Sequence, residues 1–442
     1  MKSIPVVSKT QSTIHAFQKA CDASSGAFVP VILGTHEETI AYFNYELPEI
    51  KIIDFGDSLI DAQALMDSVH DDPWLLFGGI IAIVNDHGSK VALEKQRDPN
   101  IALVLLRKEF EANAARVLRI LSRNAQFLFN RGMQQQMNTN ETGTFTSDND
   151  PTDILFYCNL ITSYLYNTNR INEDGRSAVQ GALMELLLNA LEHGNCKISY
   201  EEKTAWLSKG KNMLDLIAIK ASQSEVSRRK VYISYDISNA RTRVSVRDDG
   251  EGFDWRERME SELKPGLHGM GIKLAESFVS KIAYNEKGNE ASFEIPNLRN
   301  VTNSIPAIMK EQPILSFEDK QLVCRENEPT NHLFYIRSGK FAVYVQRKLV
   351  TVLTPNDIFI GEMSFLLNDR RSATIISIGP GTLVKIPKME FIALIRAYPH
   401  YGVFLSRLLA QRLARQSTQT VQIRNEFTKM KEELESIRAP GL

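Results

Sequence analysis

The residues whose types and spacing could do chemistry fall into two groups. Glu185, Asn189 and His193, in MELLLNALEHGN, stand at i, i+4 and i+8, which lines their side chains along one face of a helix. Such a polar stripe faces either solvent or a polar ligand, and the helix alone does not choose between them. An asparagine offers a neutral oxygen to Mg²⁺, which keeps several waters and takes further ligands from phosphates; a glutamate offers a base or a water-orienting carboxylate. In RTRVSVRDDGEGFD, strand alternation directs Val244, Val246 and Asp248 to one core-facing side. An inward carboxylate is costly unless hydrogen bonds reach it, and an adenine amino group would supply them. Gly250 and Gly252 follow at once, and without a Cβ they let the backbone approach a flat base. Gly269 and Gly271, in HGMGIKLAESF, open a predicted helix, where free N–H groups favour phosphate; a lone G-x-G equally marks an ordinary turn.

The second group lies in IFIGEMSFLLNDRRSATIISI, Ile358 to Ile378. Gly361 and Glu362 precede a short apolar helix, and Arg371, Ser372, Ala373 and Thr374 open a strand. A guanidinium buried at a strand start needs an anion. Its planar fork suits a phosphate, and Glu362 could accept from a ribose hydroxyl. An internal Glu362–Arg371 ion pair would satisfy the same residues without a ligand.

These groups need elements to hold them. The chain has 442 residues, about three times the usual domain length, which implies two to four domains. The apolar runs Val29–Leu33, Lys51–Phe55, Leu75–Val84 and Ile101–Leu106 alternate with helical patterning, implying a parallel α/β sheet over residues 1–131. The polar stretch 132–153 reads as a linker. Residues 154–298 mix helices with alternating strands, and residues 310–442 read as a β-rich module followed by helices. The fold class is therefore multidomain α/β and α+β. Lys+Arg at 52 against Asp+Glu at 53 shows no nucleic-acid or polybasic signature. Hydrophobics at 43% exclude disordered and collagen-like classes. The scattered Cys21, Cys158, Cys196 and Cys324 form no zinc pattern. The N-terminus lacks an apolar signal region, and Leu75–Val84 is about half a membrane span. A cytoplasmic protein with no membrane segment is expected.

Taken in order, E-x-x-x-N, D-x-G-x-G and G-x-G over about 154–295 resemble the N, G1 and G2 boxes of the gyrase, histidine kinase and MutL (GHKL) ATPase superfamily, a Bergerat-type α/β sandwich. The segments NALEHG, DDGEGFDW and YNEKGNEASFEI are most similar to the serine-kinase anti-sigma factors of the RsbW and SpoIIAB type. The resemblance implies that Glu185 is the catalytic base or water-positioner, Asn189 the Mg²⁺ ligand and Asp248 the adenine reader. Gly250, Gly252, Gly269 and Gly271 would shape the ATP pocket, and Phe253 to His268 would be a short lid. His193 is better placed as a packed or phosphate-side residue than as a phosphoacceptor. No histidine occurs between His87 and His193, so the phosphoacceptor hairpin of a histidine kinase has no acceptor here. A Ser or Thr on a partner protein, a sigma factor or its antagonist, is the implied target of an ATP-dependent serine/threonine kinase. The alternatives are a non-catalytic switch that sequesters such a partner and a histidine-kinase-like protein acting in trans.

G-E followed by R-x-A-T resembles the phosphate-binding cassette of cyclic-nucleotide-binding domains of the Crp and protein kinase A type, and LFYIRSGKFAVYV with Gly339 is similar to their β-roll. The resemblance implies that Arg371 holds the cyclic phosphate and Glu362 the ribose 2′-OH. Backbone N–H groups of Gly361, Glu362, Met363 and Ser364 would support the phosphate, beside Ser372 and Ala373. Arg370 replaces a common proline and Asn356-Asp357 the usual Gly-Asp. By the same resemblance Ser372, directly after the arginine, implies cAMP in preference to cGMP. Ile423, Phe427, Met430, Leu434 and Ile437 form an apolar seam suited to a homodimer. No DNA-reading module is expected after it. Residues up to Arg131 resemble a response-regulator receiver, with Glu37 and Glu38 after the first strand and Lys108 after the last. One strand–helix unit is missing and no aspartate clearly ends a central strand, so the expectation is a degenerate, non-phosphorylated interaction domain.

Overall fold

A computed structural model describes the chain except residues 1, 25, 73, 125–140, 239, 256–278, 280–281, 299–311, 368–369, 400, 404, 407–408, 411–412, 415–416 and 418–442. The chain divides into two compact units, residues 1–311 and 312–442.

The first unit opens with a five-stranded parallel sheet: β1 Lys2–Val7, β2 Phe28–Leu33, β3 Ile50–Asp54, β4 Gly79–Val84 and β5 Ile101–Leu106, in the order β2-β1-β3-β4-β5. That is one of the two common doubly wound orders. β3 and β4 are buried at every position, as their unbroken apolar runs require of strands covered on both faces. Helices follow each strand: α1 Gln11–Asp22, α2 His36–Glu46, α3 Ala62–Asp71, α4 His87–Lys95 and α5 Arg107–Arg123. Thr35, Asp61 and Asp86 cap α2, α3 and α4 by accepting backbone N–H bonds.

This sheet departs from the sequence-based expectation at several points. The strand–helix units number five, because β1 was missed: SIPVV is short and carries Pro5, a residue that argues against a strand when read alone. An aspartate does end the central strand, since Asp54 closes β3 and is fully buried. By contrast, Glu37 and Glu38 lie in the exposed first turn of α2, behind the second strand, and Lys108 is exposed on α5.

An antiparallel sheet follows: β6 Glu141–Ser147, β7 Val231–Ile237, β8 Arg241–Asp248, β9 Ala283–Tyr284 and β10 Glu290–Pro296, in the order β6-β7-β8-β10-β9. Residues 141–153 are therefore not a linker, as their composition implied. They supply the edge strand β6 and Asp150, the N-cap of α6, Pro151–Asn167. β6 looks polar because one face carries threonines, and because its buried Glu141 is neutralised by Arg170 at 3.1 Å and bonded by the Tyr164 hydroxyl. Helix α7, Glu173–Asn189, continues into a π-helical turn, Ala190–Asn195. The parallel and antiparallel sheets share one apolar core, in which Val6, Phe17, Leu118 and Leu121 join Tyr157, Leu165, Leu187 and Val246.

The second unit is a β-roll of β11 Ile314–Phe317, β12 Leu322–Cys324, β13 His332–Val345, β14 Lys348–Leu353, β15 Phe359–Ile360 and β16 Thr374–Pro387. The order is β11-β16-β13-β14, with β12 on β16 and β15 on β13. Gly339, at φ +93, breaks the β13 register where a Cβ would meet the Gly381 Cα at 2.5 Å. Helix α8, Glu362–Leu367, lies between β15 and β16, and α9, Lys388–Ala397, follows them. The seam from Ile423 to Ile437 lies outside the described residues. Among the described residues no helix is long and apolar enough to cross a membrane, and the four cysteines are buried and unbridged.

Candidate functional site

In the C-terminal unit, β15 ends in a tight turn at Gly361, φ +83, which leads directly into α8. A Cβ on Gly361 would lie 1.6 Å from Arg371 Nη1, so only glycine lets the turn close over that guanidinium. Arg371 is 3% exposed, and Glu362 and Ser364 are buried beside it. Its Nη2 donates to the His332 carbonyl at 2.9 Å; Nη1 makes longer contacts of 3.5 Å with the Gly361 carbonyl and Ser364 Oγ. The cation also lies 5.3 Å from the Phe334 ring centroid. Among the described residues, every hydrogen-bond partner of the guanidinium is a neutral oxygen, so the internal Glu362–Arg371 ion pair is not formed. Burial lowers the Arg371 pKa, against the opposing pull of Cys324, Glu328 and Glu362. A buried cation held by neutral oxygens is arranged to receive an anion. Met363 is half exposed, Ser372 exposed and Ala373 buried at the entrance to β16.

His332 was not anticipated, and its part is played by a backbone carbonyl that residue type does not signal. Its imidazole is pushed down to about 4, by burial first and then by Arg371 and Lys385, which keeps a second positive charge out of the pocket.

In the N-terminal unit the alternation along β8 holds, with Thr242, Val244, Val246 and Asp248 all buried. Asp248 ends the strand against the π-helical turn: a Cβ on Gly194 would lie 2.4 Å from its carboxyl carbon. Gly250 donates its N–H to Asp248 Oδ1 at 2.8 Å, and a Cβ there would meet the Gly194 carbonyl at 2.5 Å. Gly252, at φ +80, passes so close to the Lys287 carbonyl that a Cβ would stand 1.9 Å away. Burial is the main cause lifting the Asp248 pKa to about 6, partly offset by the Gly250 N–H and Lys287. Glu185 and Asn189 share the last turn of α7, with Asn189 Nδ2 donating to Glu185 Oε1 at 3.4 Å. His193 bonds the Ile198 carbonyl through Nδ1 at 2.6 Å, a packed position.

Gly269, Gly271 and most of the expected lid, 256–268, lie outside the described residues. Three residues were missed. Asn195 accepts from the Asp249 N–H at 3.0 Å, Asn289 donates to the Asp248 carbonyl at 2.9 Å, and Lys287 Nζ donates to the Gly250 carbonyl at 2.9 Å. The turn signal in Lys287-Gly288-Asn289, with Gly288 at φ +75, could have drawn attention to the last two. Among the described residues no group of three or more His, Cys, Asp or Glu side chains converges as a metal cage.

A third polar cluster lies at the carboxyl edge of the parallel sheet. Both Asp54 oxygens are occupied: Oδ1 accepts from Gly56 N and Arg107 Nη2 at 3.1 and 3.0 Å, and Oδ2 from Ser8, Thr13 and Arg107 Nη1 at 2.8, 3.0 and 2.8 Å. Arg107 also bonds Asn85 at the end of β4. A carboxylate with five donors and no exposure is internally satisfied.

Comparison with known proteins identifies one of these regions. Residues 314–398 match the family model of the cyclic nucleotide-binding domain. A cGMP-dependent protein kinase of Plasmodium berghei (strain Anka) is 35% identical over 94 residues, which are 21% of this chain. The match spans 11% of that kinase's length. Catabolite activator protein from Thermus thermophilus is similar at 22% identity over 28% of this chain and 55% of that one, with a TM-score of 0.21. The cAMP-bound PfPKA-R (141–441) is similar at 22% identity over 22% of this chain and 36% of that one, with a TM-score of 0.19.

Proposed function

We propose, from the cyclic nucleotide-binding domain that residues 314–398 form, that this chain is a signalling protein in which cyclic nucleotide controls an ATP-dependent activity of the N-terminal unit. The observation that carries the reading is Arg371, a buried guanidinium held by neutral oxygens beneath a turn that only glycine can make. A cyclic phosphate would bring the missing negative charge, and Glu362 is placed beside it for a ribose hydroxyl. Ser372, directly after the arginine, is of the residue type found there in cAMP binders, which makes cAMP the favoured ligand; the similarity to a cGMP-dependent kinase makes cGMP the comparison to run.

For the N-terminal unit we favour a GHKL-type ATP site of the anti-sigma serine/threonine kinase kind. It is supported by the cradle that Gly194, Gly250 and Gly252 leave around the Asp248 carboxylate, and by the Glu185–Asn189 pair on the helix entering that cradle. Asp248 would accept from the adenine amino group. Asn189 would give one oxygen to Mg²⁺, whose chemistry is charge neutralisation of the phosphates, and Glu185 would orient or deprotonate the acceptor hydroxyl of a partner protein, a sigma factor or its antagonist. The parallel sheet fits a receiver-like interaction domain, its 2-1-3-4-5 order being that of the receiver fold. Cyclic nucleotide would control the activity by binding one state more tightly than another.

The test is calorimetric titration with cAMP and with cGMP, each with and without a Mg²⁺–ATP analogue. An affinity that changes when the analogue is present supports two coupled sites. Binding indifferent to the analogue refutes direct coupling, and no cyclic-nucleotide binding overturns the reading. If Glu185→Gln keeps partner binding and regulation in full, and wild type transfers no phosphoryl group to any partner, the kinase reading fails and the non-catalytic switch replaces it.

A further inference from the structure

The turn after β8 is not held by its own strand alone. Asn195, fully buried, accepts from the Asp249 N–H at 3.0 Å and donates through Nδ2 to Asn149 Oδ1 at 2.7 Å. Asn149 in turn donates to the Val226 and Arg229 carbonyls at 2.8 and 2.9 Å, while Arg229 donates back to the Asn195 carbonyl at 2.9 Å. Its neighbour Asp148 pairs with Lys230 at 2.5 Å, and the Lys230 N–H donates to Asp249 Oδ2 at 2.9 Å. Two short polar routes therefore run from the Asp148–Asn149 corner to Asp249, between the Asp248 carboxylate and Gly250.

The other side of that corner is gripped by α5. Arg116 pairs with Asp150 and Asp153 at 2.5 and 2.9 Å, Arg119 with Asp153 at 2.7 Å, and Arg123 with Asp148 at 3.2 Å. Arg107, the first residue of the same helix, holds Asp54 at the edge of the parallel sheet. Arginines at one end, middle and far end of a single rigid helix thus tie the parallel sheet to the segment that props the turn. Buried amide networks of this kind fix geometry because each unsatisfied member would cost about 1–3 kcal/mol.

We propose that Asn149 and Asn195 are positioning residues for the adenine-reading turn, and that α5 sets the geometry of that turn through its grip on the Asp148–Asn149 corner. The proposal rests on the reading of Asp248 as part of an ATP site. It gives the parallel sheet a route to that site within one unit.

The experiment measures binding of ADP and of a Mg²⁺–ATP analogue to the full chain, as wild type, Asn149→Ala and Arg123→Ala. The urea unfolding midpoint of each variant serves as the control for a folded N-terminal unit, and binding of cyclic nucleotide as the control for the other unit. Asn149→Ala should weaken adenine-nucleotide binding about tenfold, and Arg123→Ala, whose side chain is half exposed, about two- to threefold, a weak surface-pair effect. Cyclic-nucleotide affinity should stay constant in both. A purely structural role would lower the unfolding midpoint and leave nucleotide affinity unchanged, and that result in both variants overturns the proposal. Wild type that takes up no adenine nucleotide would overturn the ATP reading and this proposal with it; wild type that binds as expected while both variants match it overturns the proposal alone.

Discussion

Replacing Asp248 by asparagine should make the ligand-free protein more stable at neutral pH and, on the proposed ATP reading, weaken adenine-nucleotide binding. Burial raises the Asp248 pKa from 3.8 to about 6. About two units at ~1.36 kcal/mol each amount to roughly 3 kcal/mol by which ionised Asp248 opposes folding at pH 7. Between those two values the folded state binds more protons than the unfolded one. Wild-type stability contributed by this group therefore falls as pH rises from about 4 to about 6, and is level above that. Asparagine keeps an oxygen for the Gly250 N–H, bonded at 2.8 Å, and carries no titration. Urea unfolding of both proteins at several pH values should show a difference near zero at pH 4 that grows by up to ~3 kcal/mol in favour of the variant by pH 7. The other carboxylates cancel in the difference. The variant should bind adenine nucleotides about 10- to 150-fold more weakly, the worth of a hydrogen bond to a charged acceptor. A stability difference that does not change with pH would refute the reasoning, because burial of the charge would then not be what asparagine relieves.

Two further outcomes follow from the other clusters. Arg371→Ala should weaken cyclic-nucleotide binding by about 2–5 kcal/mol, roughly 30- to 5000-fold, without changing adenine-nucleotide binding in the N-terminal unit; calorimetry on both ligands checks this, and loss of both would contradict two separate sites. Arg107→Ala should destabilise the N-terminal unit by about 3–5 kcal/mol, because it leaves the fully buried Asp54 without its cation. Urea unfolding measures this, and acetyl phosphate should leave Asp54 of wild type unmodified.

Much of each site was legible because its signal is local. The inward direction of Asp248 follows from the two-residue period of a strand, and Glu185 and Asn189 share a face because they are one helical turn apart. The β-roll and its Gly361–Arg371 segment were readable from turn residues and a spacing that lies within one stretch of chain. Where the reading failed, a local signal was masked. Pro5 hid β1, and with it the fifth strand–helix unit. The polar face of β6 made a paired strand look like a linker.

What the sequence by itself determined is therefore the chemistry on offer: an inward carboxylate followed by glycines, a guanidinium at a strand start beside a Gly-Glu turn, and the elements that carry them. Tertiary structure alone decided the partners. That Arg371 is held by the carbonyl of His332 and not by Glu362, that Arg107 is bound to Asp54, and that Asn149 reaches Asp249 through Asn195 are contacts between segments 39 to 54 residues apart. No period or propensity encodes such contacts. They exist because the packing of the sheets excludes water and obliges each buried polar group to find whichever donor or acceptor the fold brings within reach.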